Sequence, residues 1–421
     1  MFVARAIRKL WGSAILMVAF ALPAFAQDLE LIAAADSSYA AGDYEQLLAD
    51  CDAAIAVFPD TAVLYYYRGI ARDYLGDPAL ALSDLSRSIE LEPMAPEPFV
   101  ARARLHYYGG RREEAFKDIR ACLKRDPDFL EAYLLRIEMN LDEMVLSEAW
   151  QDLEVARKLA PRDAEVFCLR SEYYLLEGNP RQAIKEAGTA IKLAPDAAMG
   201  YLSQATAYEA IADYANALSD IDLAIRLEPE QYSLLATRAM ILDGSGDREG
   251  AMKVLARYIE KDSLAWDAYL TRSWLEMSDS NWAAAETDLF RAQELQPQEP
   301  SIPDQLGYLY VLKGDFEPAR ATLAPLVQQH PDMAFAHANL GYALLELGDA
   351  DAALKSVQQA IKLDDMDPLF FYYRAAIHHD LKRPTKACED LDTAEQLGYA
   401  DYYGEESLKA MRKKACGSIR N

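Results

Sequence analysis

A proline returns every 34 residues through most of this chain: Pro59, Pro93, Pro127, Pro161, Pro195 and Pro229, then Pro297 and Pro331. Ser263 stands where one is due, and the register survives it, because Pro297 lies two periods beyond Pro229. A conventional globular core has elements and connections of uneven length and cannot sustain such a period. The spacing means copies of one supersecondary unit, stacked because a single unit cannot bury its own apolar face.

Counting 34-residue frames from Asp28 gives eleven without insertion, starting at 28, 62, 96, 130, 164, 198, 232, 266, 300, 334 and 368 and ending at Asp401. Position 20 of the frame is alanine from Ala81 to Ala387, and only Leu47 departs from it. Position 27 is alanine at Ala54, Ala156, Ala190, Ala224, Ala292, Ala360 and Ala394, and position 8 is often small, as at Gly69, Gly307 and Gly341. Small side chains at these spacings let two antiparallel helices approach closely. Tyr65, Phe99, Tyr133, Phe167, Tyr201 and Tyr269, at position 4, supply the bulk between them. Gly-Asp pairs at positions 15 and 16 (Gly42, Gly76, Gly246, Gly314, Gly348) end one helix and cap the next. Pro78, Pro180 and Pro384 follow, where a missing N–H costs nothing.

This pattern resembles the tetratricopeptide repeat, and the resemblance runs from residue 28 to 401. It implies an all-α, right-handed superhelical solenoid of eleven helix-turn-helix repeats, the first helix of each lining a concave groove. The fourth frame lacks the loop glycine, the seventh has Tyr258 and Ser263 at the usual Ala and Pro positions, and the ninth has Pro303 at the aromatic position. Residues 402–421 are expected to form a capping helix and tail, with Lys409, Arg412, Lys413 and Lys414 giving it a polar outer face.

Residues 1–26 are of another kind. Arg5, Arg8 and Lys9 precede an uncharged apolar run that closes on Ala24-Phe25-Ala26, the pattern of a secretory signal cleaved after Ala26. The run is short for a retained membrane anchor, and Pro23 interrupts it. The expectation is an exported chain, periplasmic or secreted, beginning at Gln27 and without a membrane span after cleavage. Its formal charge of −25, made more negative by loss of the signal, repels phosphate backbones and excludes nucleic acid as a general partner. The 52% of hydrophobic residues speak against disorder. The five cysteines lack the paired spacing of a zinc site. Cys388 and Cys416 are candidates for a bridge across the last frame and the tail, with two free thiols as the alternative. Cys51 and Cys122 fall on inward-facing positions.

Position 7 is arginine where position 23 is acidic in six frames: Arg68 with Asp84, Arg102 with Asp118, Arg136 with Asp152, Arg170 with Glu186, Arg272 with Asp288 and Arg374 with Asp390. Matched recurrence points to structural ion pairs between the two helices of a repeat rather than a row of binding arginines. Arg238 is the exception, since Val254 stands at its position 23.

The positions that line the groove in the family are 2, 5, 9, 12 and 13. Here they carry fourteen acids, Glu97, Glu138, Asp142, Asp243, Asp267, Asp304 and Glu346 among them, against Arg104 alone. Position 9 is aromatic in three successive frames, at Trp274, Tyr308 and Tyr342, with Phe335 at position 2 close by. Two readings stand: a ladder of rings that anchors a ligand, or rings packed against neighbouring repeats. The paired tyrosines Tyr65-Tyr66-Tyr67, Tyr107-Tyr108, Tyr173-Tyr174 and Tyr372-Tyr373 fall mostly on helix-pair core positions. No nucleotide loop, nucleophile elbow or H-E-x-x-H helix is present, so neither catalysis, a metal nor a cofactor is expected. The expected function is a protein-interaction scaffold holding a basic protein or peptide segment in an acidic groove, with an envelope polysaccharide stacked on the same rings as the alternative.

Overall fold

Helices begin where the punctuation demands. The second helix of successive pairs opens at Tyr44, Pro78, Arg112, Leu146, Pro180, Tyr214, Arg248, Trp282, Phe316, Ala350 and Pro384, always 34 residues apart. The computed structural model describes residues 22–417, and among them there are helices and no strand. Residues 1–21 of the expected signal segment and 418–421 of the tail lie outside the described residues. The expected cleavage point falls within the first described helix, Leu22–Ala41.

The turn between the helices of a pair needs one residue in the left-handed region. Glycine supplies it at Gly42, Gly76, Gly246, Gly314 and Gly348. Where the glycine is missing, Met144, Ala212, Ser280 and Lys382 adopt the same positive φ, so the frame keeps its geometry and carries the strain. Asp43, Asn179, Asp213, Asp247 and Asp349 then accept a hydrogen bond from a backbone N–H of the first turn. The period-marking prolines also contribute an acceptor. Tyr65, Tyr133 and Tyr201 donate to the carbonyls of Pro59, Pro127 and Pro195 at 2.9, 3.0 and 3.1 Å.

Two compact units divide the chain, one ending at Ala207 and the other beginning at Tyr208. In the first, Leu22–Ala41 pairs with Tyr44–Val57, Ala62–Tyr74 with Pro78–Leu91, Glu97–Tyr108 with Arg112–Arg125, Leu130–Asp142 with Leu146–Leu159, and Ala164–Leu176 with Pro180–Leu193. In the second, Leu234–Gly244 pairs with Arg248–Lys261, Trp266–Ser278 with Trp282–Leu295, Ser301–Lys313 with Phe316–Gln329, Ala334–Glu346 with Ala350–Leu363, and Pro368–Asp380 with Pro384–Gln396. All ten alanines at position 20 are 0% exposed. Close approach is strict at Gly341: a Cβ there would collide with Val357 Cγ2 and lie 3.1 Å from the Ala353 carbonyl.

The six arginine–carboxylate partners meet in every frame where they recur. Arg68, Arg102, Arg136, Arg272 and Arg374 each present two nitrogens to one aspartate, at 2.6–2.9 Å, and Arg170 Nε reaches Glu186 at 3.1 Å. Three of the arginines reach backward as well, Arg102 to the Ser86 hydroxyl at 3.0 Å. Arg68 contacts Asp52 at 2.7 Å and Arg170 contacts Glu154 at 2.8 Å, both on the second helix of the preceding pair. Arg238, lacking a carboxylate in its own frame, uses only that backward contact, to Asp222 at 2.7 Å. The guanidinium groups of Arg68, Arg102, Arg136, Arg272 and Arg374 lie over the position-4 rings of their own helices.

The chain closes with Tyr399–Tyr403 and Glu405–Cys416. Cys388 and Cys416 are joined in a disulfide, and Arg412 reaches Asp392 and Glu395 at 2.5 and 2.9 Å. Leu408 and Ala415 turn inward, while Lys409, Lys413 and Lys414 are exposed. Cys51 and Cys122 are buried, and burial pushes their thiols up to about 12, so neither supplies a thiolate at neutral pH.

Removing one member of a clamp leaves the other half of a desolvated pair behind. Arg136→Met should lower the stability of the chain by about 3 kcal/mol in urea unfolding, and adding Asp152→Leu should restore most of that loss. A double variant no more stable than the single one would show that the pair is not coupled.

Candidate functional site

In each unit the first helix of a pair touches the first helix of the next pair, and among the described residues successive second helices make no such contact. Helices that converge on one side and diverge on the other place the first helices on the inner face of each unit. Side chains that bridge successive first helices therefore lie on that face.

Tyrosine hydroxyls and carboxylates do much of this bridging in the first unit. Tyr67 donates to Asp36 at 2.9 Å, Tyr108 to Glu138 at 2.6 Å, and Tyr107 to Asp142. Burial raises the carboxyls of Glu165 and Glu172; Asp163 adds to the first, and Asp142 and Glu138 add to the second. Like charges are thus crowded along this face, which a bound cation would relieve. Tyr67 lies in the core, and Tyr66 and Tyr107 pack against core residues, as their sequence positions suggest, while Tyr108 is exposed. What those positions do not announce is that the hydroxyls of Tyr67, Tyr107 and Tyr108 reach acids about one period away.

A cavity of about 150 Å³ opens here, between Tyr39, Tyr66, Tyr67 and the start of the next first helix at Glu97 and Pro98. Tyr39 stacks on Tyr67, with centroids 4.3 Å apart and planes 20° apart. Burial, and then contact with Tyr39, raises the Tyr66 hydroxyl far above its ordinary value.

The second unit holds the residues singled out as a ring ladder. Trp274 stacks on Tyr308 at 6.1 Å and 24°. The ring contacts of Tyr342 are with Tyr373, stacked at 4.6 Å, and Phe316, edge-on at 6.1 Å. Phe335 meets Phe370 edge-on at 5.1 Å. Tyr373 is buried, as is Tyr399, which stacks on Tyr372 at 4.5 Å. Tyr342 therefore belongs to a packed tyrosine cluster, while Trp274 and Phe335 remain 40% and 45% exposed.

The four acids beside the rings differ in what holds them. Asp243 pairs with Arg248 at 2.9 Å, and Asp267 accepts from the Tyr258 hydroxyl at 3.0 Å. Glu346 is exposed and close enough to Tyr342 to help raise that hydroxyl to about 12, an effect led by burial. Asp304 lies one helical turn before Tyr308 and has a buried Oδ1 with no hydrogen-bond partner. Burial alone raises its carboxyl to about 6. No three His, Cys, Asp or Glu side chains form a metal-binding group among the described residues.

A carboxyl whose folded pKa lies above its unfolded value costs stability as pH rises, and the cost is complete above about 6 here. Asp304→Asn should accordingly raise the thermal midpoint at about pH 7.5 and leave it unchanged near pH 4. Equal effects at both pH values would place this carboxyl in water.

No curated protein matches the chain's sequence. A tetratricopeptide repeat family model matches residues 305–364 and 339–400. Among solved structures, a monomeric mutant of IFIT1 with Gppp-AAAA aligns at 14% identity over 86% of this chain and 83% of its own, with a TM-score of 0.52. Yeast Tom70 aligns at 16% identity over 92% and 88%, with a TM-score of 0.43. A tetratricopeptide repeat protein from Parabacteroides merdae aligns at 16% identity over 60% and 98%, with a TM-score of 0.45. At such identities the likeness is one of fold. Residues 305–400 thus match the tetratricopeptide repeat in sequence, and the same 34-residue helix pair recurs in frame after frame among the described residues.

Proposed function

We propose that the chain is a non-catalytic scaffold that holds a basic segment of a partner protein against the inner face of its first helices, outside the cytoplasm. Tetratricopeptide-repeat proteins in general mediate protein–protein interactions, and the repeat array makes this the first class to consider. One observation carries the finer reading. Two large rings, Trp274 and Phe335, stay half in water on a face that also holds Asp304, a half-buried carboxyl whose Oδ1 has no hydrogen-bond partner. Exposed aromatic anchors beside an unsatisfied charge are what a binding hot spot requires of the free protein. A cationic side chain would stack on the Trp274 ring and restore the lost solvation of Asp304. The basic head, the apolar run and Ala24-Phe25-Ala26 support export.

A photo-reactive residue at position 308 should crosslink to a protein in intact cells. Trp274→Ala and Phe335→Ala should each cut its recovery roughly tenfold while helix content stays unchanged. Full recovery with both rings removed would take them out of the interface. Added salt should weaken the complex steeply if the partner is basic, whereas a neutral polysaccharide on the same rings would be indifferent to it.

Export makes a separate claim. The first residue of the chain recovered from the cell should be Gln27. A chain that begins at Met1 and stays in the cytoplasm would overturn the localisation.

A further inference from the structure

The cavity in the first unit has a composition that selects its occupant. Ala62, Val63, Ala95 and Pro98 contribute apolar wall, and the stacked pair Tyr39 and Tyr67 presents ring surface. Polar groups in the wall are largely spent. Ser88 donates to the Ala62 carbonyl at 2.8 Å, and Tyr67 donates to Asp36 at 2.9 Å. The Tyr39 and Tyr66 hydroxyls stand 3.4 Å apart, a long contact that leaves both with capacity. Glu92 and Glu97 are the charged lining groups, and no lysine, arginine or histidine lines the cavity. Glu92 is exposed and Glu97 half-buried, so the carboxylates stand toward solvent.

Size narrows the choice further. A cavity of about 150 Å³ is the size that accepts benzene when its walls are wholly apolar. It admits a slender chain of a few heavy atoms and is too small for a folded element or a sugar chain. Apolar wall, ring faces and two carboxylates together suit an aliphatic stem that ends in a compact cation. Lysine has that shape, and its ammonium gains from both ring faces and carboxylates. The planar fork of an arginine is wider and seeks a single carboxylate in two-point contact.

We propose that this cavity is a lysine-binding subsite of the inner face: the stem of a partner's lysine enters between Tyr39, Tyr66 and Pro98, and its ammonium lies against Glu92 and Glu97. The assignment rests on the reading of the inner face as the partner-binding surface. It adds a second, chemically specific anchor in the unit that does not contain Trp274.

The test titrates the purified chain with Nα-acetyl-lysine methylamide by NMR, with the norleucine and arginine analogues as controls. Saturable binding of the lysine compound is expected, with shifts confined to Tyr39, Tyr66 and their neighbours. The uncharged norleucine compound should bind about tenfold more weakly. Glu92→Gln and Glu97→Gln should each weaken lysine binding and leave the thermal midpoint unchanged, and Ala95→Leu should block it by filling the cavity. Trp274→Ala should leave it untouched. Equal affinity for norleucine or arginine, or no saturable binding of lysine, overturns the subsite. Loss of lysine binding with partner capture intact would remove this subsite alone. Partner capture lost while lysine still binds would remove the scaffold reading and spare the subsite.

Discussion

The structure depends on how closely two helices approach at the alanine of position 20. Each of the ten alanines there is fully buried, and glycine at positions such as Gly341 removes the last carbon that would hold the partner helix away. Such contacts are short-ranged, and a misplaced methyl is felt across the pair. Within each unit first helix then meets first helix, and the inner face of that unit follows from the recurring approach.

Arginine at position 7 ties the two helices of a pair together and, in some frames, one pair to the pair before it. It binds the carboxylate of its own second helix and lies over the ring of position 4. At Arg68 and Arg170 it also reaches the second helix of the preceding pair, and at Arg238 that backward contact stands alone. A neutral side chain of equal volume would pack there, but it would not fix register, whereas a two-point charged contact does so by geometry. This device confines charge to the seam between helices and leaves the inner face free to carry acids and rings for another purpose.

Local chemistry announced some of this and hid the rest. The 34-residue prolines, the Gly-Asp turns and the alanine columns marked every second helix at its first residue, because turn conformation and close approach tolerate few residue types. The arginine and carboxylate columns were legible for the same reason: partners 16 residues apart recur only if they meet. The ring ladder was legible only in part. Trp274 and Tyr308 stack, but Tyr342 stacks on Tyr373 of the following first helix, with the centroids 4.6 Å apart. Identical positions in successive frames do not guarantee identical neighbours once side chains of different size surround them.

From its sequence alone, this chain is bound to a periodic stack of helix pairs, since the residues that permit close helix approach and left-handed turns recur at one spacing. Tertiary structure alone decided which acids are spent and which are free. Tyr258 donates to Asp267 and Arg248 pairs with Asp243, while the Oδ1 of half-buried Asp304 is left without a hydrogen-bond partner. It alone closed Tyr39, Tyr66 and Glu97, from three successive first helices, around one cavity. Their separations in sequence carry no trace of that meeting, because it depends on the angle at which neighbouring pairs pack, which many side chains set together.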